Sequence, residues 1–387
     1  MNRILVEELK PGMRFTKEVM IDSSNVLAAA NVPIQESDIK RLMKWGISEV
    51  TTEGQLLTGA AGGGSVAISE QFNKVLDDYN VLISLKDQLI EVHTRTVKEV
   101  SRIHTAIRND RMFNIQELTK CVEDIYNLIR QNRNVFLFVQ RQENEKDTMA
   151  VHSVNSAIYA MVIGLTLEYS RSKVKDLGIG VLLINAGMVQ IPLYIVNKEG
   201  DLNERELQQI KSHPVLGYQV LKNLGNISED IAQISLQHHE QFNGGGYPKR
   251  LKGIEISEAA RIASVADNYE AMVEKKSYRP RHFYYTAMKQ LVATGARKFD
   301  PVILRMFISI LSVYPIGSLV ELNNKKIGVV IGTIKDNPLR PIVKMVRDEK
   351  GERVKGVEII NLVEEFDLFI TQTIDEYKAG INLSELF

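Results

Sequence analysis

The sequence predicts a mostly α protein, a helical bundle with a small N-terminal α+β module and a small C-terminal β appendage. Three observations carry this expectation. Apolar residues recur at helical spacing through 70–147 and 148–312. Short alternating runs bounded by Gly, Pro and Asn stand at both ends of the chain. A Gly/Ala-rich stretch, 53–69, separates the N-terminal part from the helices and reads as a flexible linker. With 387 residues, more than one folding unit is expected.

The elements follow in order. In 1–52, Ile4-Leu5-Val6 and Val19-Met20-Ile21 read as strands and Pro11-Gly12 as a turn. Glu36 to Trp45 reads as a short helix with Ile39 and Leu42-Met43 on one face. A long helix is expected from about Ser69 to Ile107. Phe72, Leu76, Tyr79, Ile83, Ile90, Val97 and Val100 fall close to a heptad seam, interrupted by Lys86 and His93. That seam suits either a homodimer stalk through 69–107 or packing on the chain's own bundle. A second helix, about Asn114 to Arg130, repeats the spacing with Leu118, Val122, Ile125 and Leu128-Ile129. His93 and His104 have no other ligand-type residues at metal spacing and read as surface or packing histidines. Beyond 312, Leu319–Leu322, Ile327–Ile331 and Ile342–Val346 alternate between turn signals, giving a small antiparallel unit over 313–365 and a tail over 366–387.

Composition excludes some classes. Lys+Arg and Asp+Glu both number 48, so nothing general favours nucleic acid or anionic lipid as a partner. The one cysteine, Cys121, cannot form an intrachain disulfide, which fits a reducing cytoplasm. The N-terminus lacks the apolar core of a secretory signal. Leu177 to Asn197 has no charged residue, a length that raises the question of a membrane span. Asn185, Gln190, Pro192 and the glycines interrupt it. A helix ending near Gly187 and a turn before Pro192 are expected there, and no membrane span.

The chemistry lies within 148–312. His238-His239-Glu240-Gln241-Phe242-Asn243-Gly244-Gly245-Gly246-Tyr247-Pro248 joins two imidazoles that can hold a transition metal to a glycine run that lets backbone approach a ligand. His152 in Val-His-Ser, His213 in Lys-Ser-His-Pro and Asp267 in Ala-Asp-Asn-Tyr complete a set in order. Each alone could be a hydrogen-bonded core residue.

Together these motifs resemble the HD-GYP family, metal-dependent phosphohydrolases of the cyclic di-GMP phosphodiesterase type. The resemblance implies an HD-type bundle in which histidines and carboxylates hold two or three metals that generate hydroxide and neutralise phosphate charge. The 1–52 module and the C-terminal β unit also resemble appendages of that family. It further implies that Gly246, Tyr247 and Pro248 border a cyclic di-GMP pocket, or a docking edge for a diguanylate cyclase domain. Arg279, in Lys-Ser-Tyr-Arg, would meet a phosphate.

The chain departs from the family at one point. Where the family has Leu-Leu-His-Asp-x-Gly-Lys, this sequence has Leu182-Leu183-Ile184-Asn185-Ala186-Gly187-Met188. Ile184 cannot ligate, Asn185 cannot bridge two cations, and Met188 carries no charge for phosphate. Thr148 stands where a trimetal member would have a glutamate. His213, His238 and His239 would still suit one metal, iron or manganese ahead of zinc, or no metal. His152 and Asp267 would be left without their partners.

Three functions are open on this reading. A degenerate member would bind cyclic di-GMP or a protein partner without efficient hydrolysis. A single-metal phosphodiesterase would work on the three-histidine site. A dimeric scaffold would take no nucleotide.

Overall fold

The computed structural model describes the chain apart from 22–25, 29–33, 56–61, 136–146, 274–283, 375–380 and 382–387, and positions 1, 11, 12, 14, 35, 45, 46, 296, 312, 313, 335, 336 and 338. It is mostly α, with a small sheet near each end. Two compact units divide it, Met1–Ser69 and Glu70–Phe387.

The first unit is an antiparallel sheet of β1 (Asn2–Leu5), β2 (Val19–Met20), β3 (Val26–Ala28) and β4 (Glu49–Thr52), in the order β1-β4-β2-β3. One helix, α1 (Glu36–Lys44), accompanies it. Val19, Ile39, Leu42 and Val50 form its core.

The division between the units falls within α2 (Gly62–Ser84), which is followed by α3 (Lys86–Arg108). The helix therefore begins inside the stretch read as a linker. Once nucleated, each added residue gains a hydrogen bond, so glycines can be carried along. The expected single helix also divides at Leu85. The buried stripe is Leu82, Leu85, Leu89, Val92, Val97, Val100, Ile103 and Ile107, and it belongs to the central core of this chain. Ile83 and Ile90 are only half-buried. The apolar stripe of α3 is therefore consumed by packing against α4 (Gln116–Gln131) and α5 (Thr148–Thr166).

α5 is the axis of the bundle. It is apolar all round, and Val154, Ala157, Ile158, Met161 and Ile163 are buried, as expected of a helix surrounded by others. It is long and apolar enough to cross a membrane by length and composition, but most of it is buried inside the bundle. Asp147 caps its start, accepting from the Ala150 amide at 3.1 Å and from Ser101 Oγ at 2.6 Å. Tyr159, Tyr269 and Phe307 meet edge to face, with centroids 5.0–6.0 Å apart, locking α5 to α11 (Glu258–Val273) and α13 (Pro301–Leu311). The remaining helices are α6 (Arg171–Leu182), α7 (Leu193–Val196), α8 (Glu204–Lys211), α9 (His213–Asn223), α10 (Glu229–Gln237) and α12 (Tyr284–Gly295). α6 ends at Leu182, five residues before the expected Gly187.

The C-terminal sheet is antiparallel, ordered β8-β7-β6-β5-β9. Its strands are β5 (Leu319–Leu322), β6 (Ile327–Gly332), β7 (Ile342–Arg347), β8 (Ile359–Asn361) and β9 (Ile370–Ile374). The last strand corrects the expected boundary at 365: 366–374 is not tail, because β9 pairs with β5 through Leu319–Ile374 and its neighbours.

Candidate functional site

His152 lies in the second turn of α5, and Asp267 lies in the middle of α11. Their side chains meet across the bundle, Nε2 to Oδ1, at 2.9 Å. One helical turn further, Asn155 Nδ2 donates to Glu270 Oε1 at 2.7 Å. Asn155 Oδ1 then faces His93 Nε2 at 2.9 Å. Because the Asn155 amide nitrogen is the donor to Glu270, its oxygen must accept, so His93 carries its proton on Nε2. His152 and Asp267 are therefore not stranded as expected: without the neighbouring ligands they partner each other.

Asp267 is buried, which raises its pKa. The hydrogen bond and charge of His152, with His238 and His213 behind, outweigh burial and hold the carboxylate below its ordinary value.

The second group comes from the α8–α9 corner and the end of α10. α8 is opened by a capping box between Asn203 and Glu206 and stops at Ser212, where His213-Pro214 starts α9. The corner points His213 into the bundle. Its Nδ1 lies 2.7 Å from the Ile210 carbonyl, and His238 Nδ1 lies 2.7 Å from the Ser235 carbonyl. A carbonyl only accepts, so both imidazoles hold their protons on Nδ1 when neutral. Their Nε2 atoms face each other at 3.1 Å with two lone pairs and no proton between them. His239 joins them, and the donor atoms of all three lie within 4.8 Å of one another.

That arrangement fits a cation. Nitrogens bound at about 2.0–2.1 Å to a tetrahedral metal stand about 3.3 Å apart. The imidazoles are also in the neutral form that ligates. Burial lowers the pKa of His213, with the Ile210 carbonyl and Asp267 opposing it. Burial and the other two histidines push His238 well down. Burial, then His213 and His152, lower His239 to about 3.

The positions that depart from the family lie beside these groups. Ile184 is fully buried and part of the main apolar core. Asn185 donates to Ser153 Oγ at 3.2 Å, next to His152. Met188 opens a short 3-10 turn and is half-buried. Thr148 is exposed in the first turn of α5. Gly187 is retained for packing: a Cβ there would lie 2.0 Å from the His213 carbonyl oxygen and 2.4 Å from the Gly217 amide.

The glycine-tyrosine-proline loop is tied to the histidines. Tyr247 stacks on His239 with centroids 4.9 Å apart and 26° between planes. A Cβ on Gly246 would meet the Gln241 nitrogen at 2.3 Å and the His239 carbonyl at 2.5 Å, so only glycine fits. Pro248 is half-buried. Glu240 does what sequence reading missed. Buried, it accepts from the Lys249 amide at 2.6 Å and the Leu251 amide at 3.0 Å, clasping the far side of the loop. Burial raises the Tyr247 hydroxyl pKa, and Asp267 adds to it, so the hydroxyl stays a donor. Arg279 lies outside the described residues.

Asn155, Glu270 and His93 were also missed as a group. The one signal available was spacing: Asn155 and Glu270 each stand three residues after a site residue.

Comparison with known proteins gives the following. The HD domain family matches residues 128–303, and the KOW domain associated with HD domain matches 319–381. A cyclic di-GMP phosphodiesterase of Pseudomonas aeruginosa is 30% identical over 243 residues, covering 62% of this chain and 58% of that protein. The cyclic di-GMP phosphodiesterase PdeB of Borreliella burgdorferi is 25% identical over 386 residues, covering 94% of this chain and 90% of that protein. Among solved structures, an HD-GYP-type protein from Bdellovibrio bacteriovorus aligns with a TM-score of 0.49 and 17% identity, covering 80% of this chain and 99% of that one.

Proposed function

The chain belongs to the HD-GYP family of HD-domain proteins, and on that premise we propose that it binds cyclic di-GMP without hydrolysing it efficiently. Several relatives are named cyclic di-GMP phosphodiesterases and two are named 3'3'-cGAMP-specific phosphodiesterases, which supports a place in cyclic-dinucleotide signalling, with cyclic di-GMP the more frequent ligand. One observation carries the loss of efficient hydrolysis. At the position of the family's His-Asp pair, Ile184 belongs to the apolar core and Asn185 is bonded to Ser153, while the Tyr247 loop is held on His239 and clasped by Glu240. A two-metal reaction needs a bridging carboxylate to bring two cations together, and an amide does not supply it. The pocket edge therefore outlives the dinuclear chemistry. Calorimetric titration with cyclic di-GMP tests the binding. Rapid turnover by metal-loaded protein would sink the proposal.

A second reading is favoured by the convergence of His213, His238 and His239. On it these three residues hold one transition metal, iron or manganese, and the site keeps a slow phosphodiesterase activity. When bound, the metal would supply a Lewis acid and an acidified water. The chain's own part is to present three neutral Nε2 donors and to seat the ligand against Tyr247. A His238→Ala variant decides it: activity that survives this change does not come from the three-histidine site.

A protein partner such as a diguanylate cyclase domain is a further candidate for the loop, and pull-down with such domains tests it. A homodimer through 69–107 would use polar positions of α3 such as Asp87, Glu91 and Lys98, since the buried stripe is already taken.

A further inference from the structure

We infer that Lys211 supplies the cation that meets the ligand's phosphate, from a different element than the lost one at Met188. The inference rests on the reading of the site as one for a phosphodiester, and it deepens that reading by naming what recognises the anion.

The need for a cation follows from the groups present. A phosphodiester carries one negative charge. Among the described residues, the side chains that meet at the candidate site are His152, His213, His238, His239, Asp267 and Tyr247, and none of them is a lysine or an arginine. Met188 has no charge to give.

The geometry supplies a candidate. Lys211 ends α8 and stands two residues before His213. The corner at Ser212 separates their directions. His213 turns inward, with Nε2 3.1 Å from His238 Nε2. Lys211 stays exposed, and its ammonium lies 5.7 Å from the centroid of the Tyr247 ring. That ring is the one stacked on His239. Cation, aromatic ring and imidazole thus stand in sequence, from the exposed Lys211 through the half-buried Tyr247 to His239. A ligand seated against Tyr247 with one phosphate over the histidines would bring its other phosphate within reach of a flexible lysine stem.

The chemistry suits the role. An ammonium on a four-carbon stem acts as a mobile point charge for phosphate. Among the described residues the Lys211 ammonium has no carboxylate partner. Lys249 and Arg250 are also exposed on the loop, but among the described residues it is the Lys211 ammonium that stands over the Tyr247 ring. Packing against the ring and complementing the end of α8 are the structural roles from which the test must separate recognition.

The full chain is titrated calorimetrically with cyclic di-GMP and, separately, with inorganic phosphate, at low and high ionic strength. Lys211→Met, Lys211→Arg and wild type are compared, with metal content and thermal midpoint measured on each. Lys211→Met is expected to weaken both probes about tenfold and to flatten the salt dependence. Lys211→Arg should keep most of the affinity. Metal content and thermal midpoint should not move, which separates recognition from a structural role. Unchanged affinity and salt dependence in Lys211→Met would overturn the inference and leave the proposed function standing. Phosphate binding that depends on Lys211, without cyclic di-GMP binding, would uphold the inference and overturn the proposed ligand. Wild type that binds neither probe would overturn both.

Discussion

His152 Nε2 and Asp267 Oδ1 are bonded at 2.9 Å across α5 and α11, and Asn155 and Glu270 repeat that contact one turn away at 2.7 Å. Two polar rungs in an otherwise apolar bundle fix the register of the helices that carry them. Both rungs join residues separated by 115 positions, so no local pattern announces them.

The first rung should be measurable. Asp267→Asn keeps the shape and removes the charge, and should destabilise the fold by roughly 1–3 kcal/mol. Combined with His152→Gln, the loss should be smaller than the sum of the two single effects. A double-mutant cycle by denaturant titration reads this coupling. The Asp267 pKa is lowered on folding, so the contribution is present above the ordinary value of 3.8 and is lost as pH falls through the folded one.

Restoring the family's residues gives the second prediction. Ile184→His alone places an imidazole at a fully buried apolar position and should cost roughly 1–3 kcal/mol. Adding Asn185→Asp and Met188→Lys supplies a bridge and a cation. Elemental analysis of the triple variant should find about two metals per chain, against at most about one in the wild type. No rise would mean that the ligands alone do not rebuild a second centre.

Glu240 supplies the third. Glu240→Ala removes two charge-assisted acceptors from the Lys249 and Leu251 amides, a loss of roughly 2–4 kcal/mol. Hydrogen exchange at those amides should accelerate, and affinity for cyclic di-GMP should fall with them. Unaltered protection would remove Glu240 from its role as the clasp.

His104 gives a prediction away from the site. Burial, opposed by Asp147 and aided by Arg108, lowers its pKa from 6.5 to about 4, and its Nε2 has no partner among the described residues. Between those two pH values the unfolded state binds more protons, so stability falls as pH drops from 6.5 towards 4, by roughly 3 kcal/mol in all. His104→Leu should flatten the thermal midpoint over that window. At neutral pH it should match or exceed the wild type, because an unpaired polar atom leaves the core.

Much of this was legible in the sequence, for identifiable reasons. His213, His238 and His239 were grouped by motif, and they converge. α4 and the first three strands of the C-terminal sheet follow apolar periodicity, which reports burial directly. What escaped depends on distant partners. β8 and β9 are strands because β7 and β5 offer edges, not because their own residues alternate strongly. α6 stops at Leu182 although apolar residues continue, because those that follow are buried in a turn. Gly187 reads in the sequence only as the approximate end of a helix, whereas in the fold the His213 carbonyl forbids any side chain there. Glu240 was passed over because its partners are backbone amides, which leave no mark in the residue pattern.

The central claim is that the pocket binds cyclic di-GMP while its dinuclear chemistry is lost. The most direct test incubates anaerobically purified protein, supplied with iron or manganese, with excess cyclic di-GMP and separates the nucleotides by chromatography. The account predicts that the bound and free nucleotide stay cyclic, with less than about one turnover per chain over hours. Many turnovers to a linear dinucleotide or to GMP would contradict it.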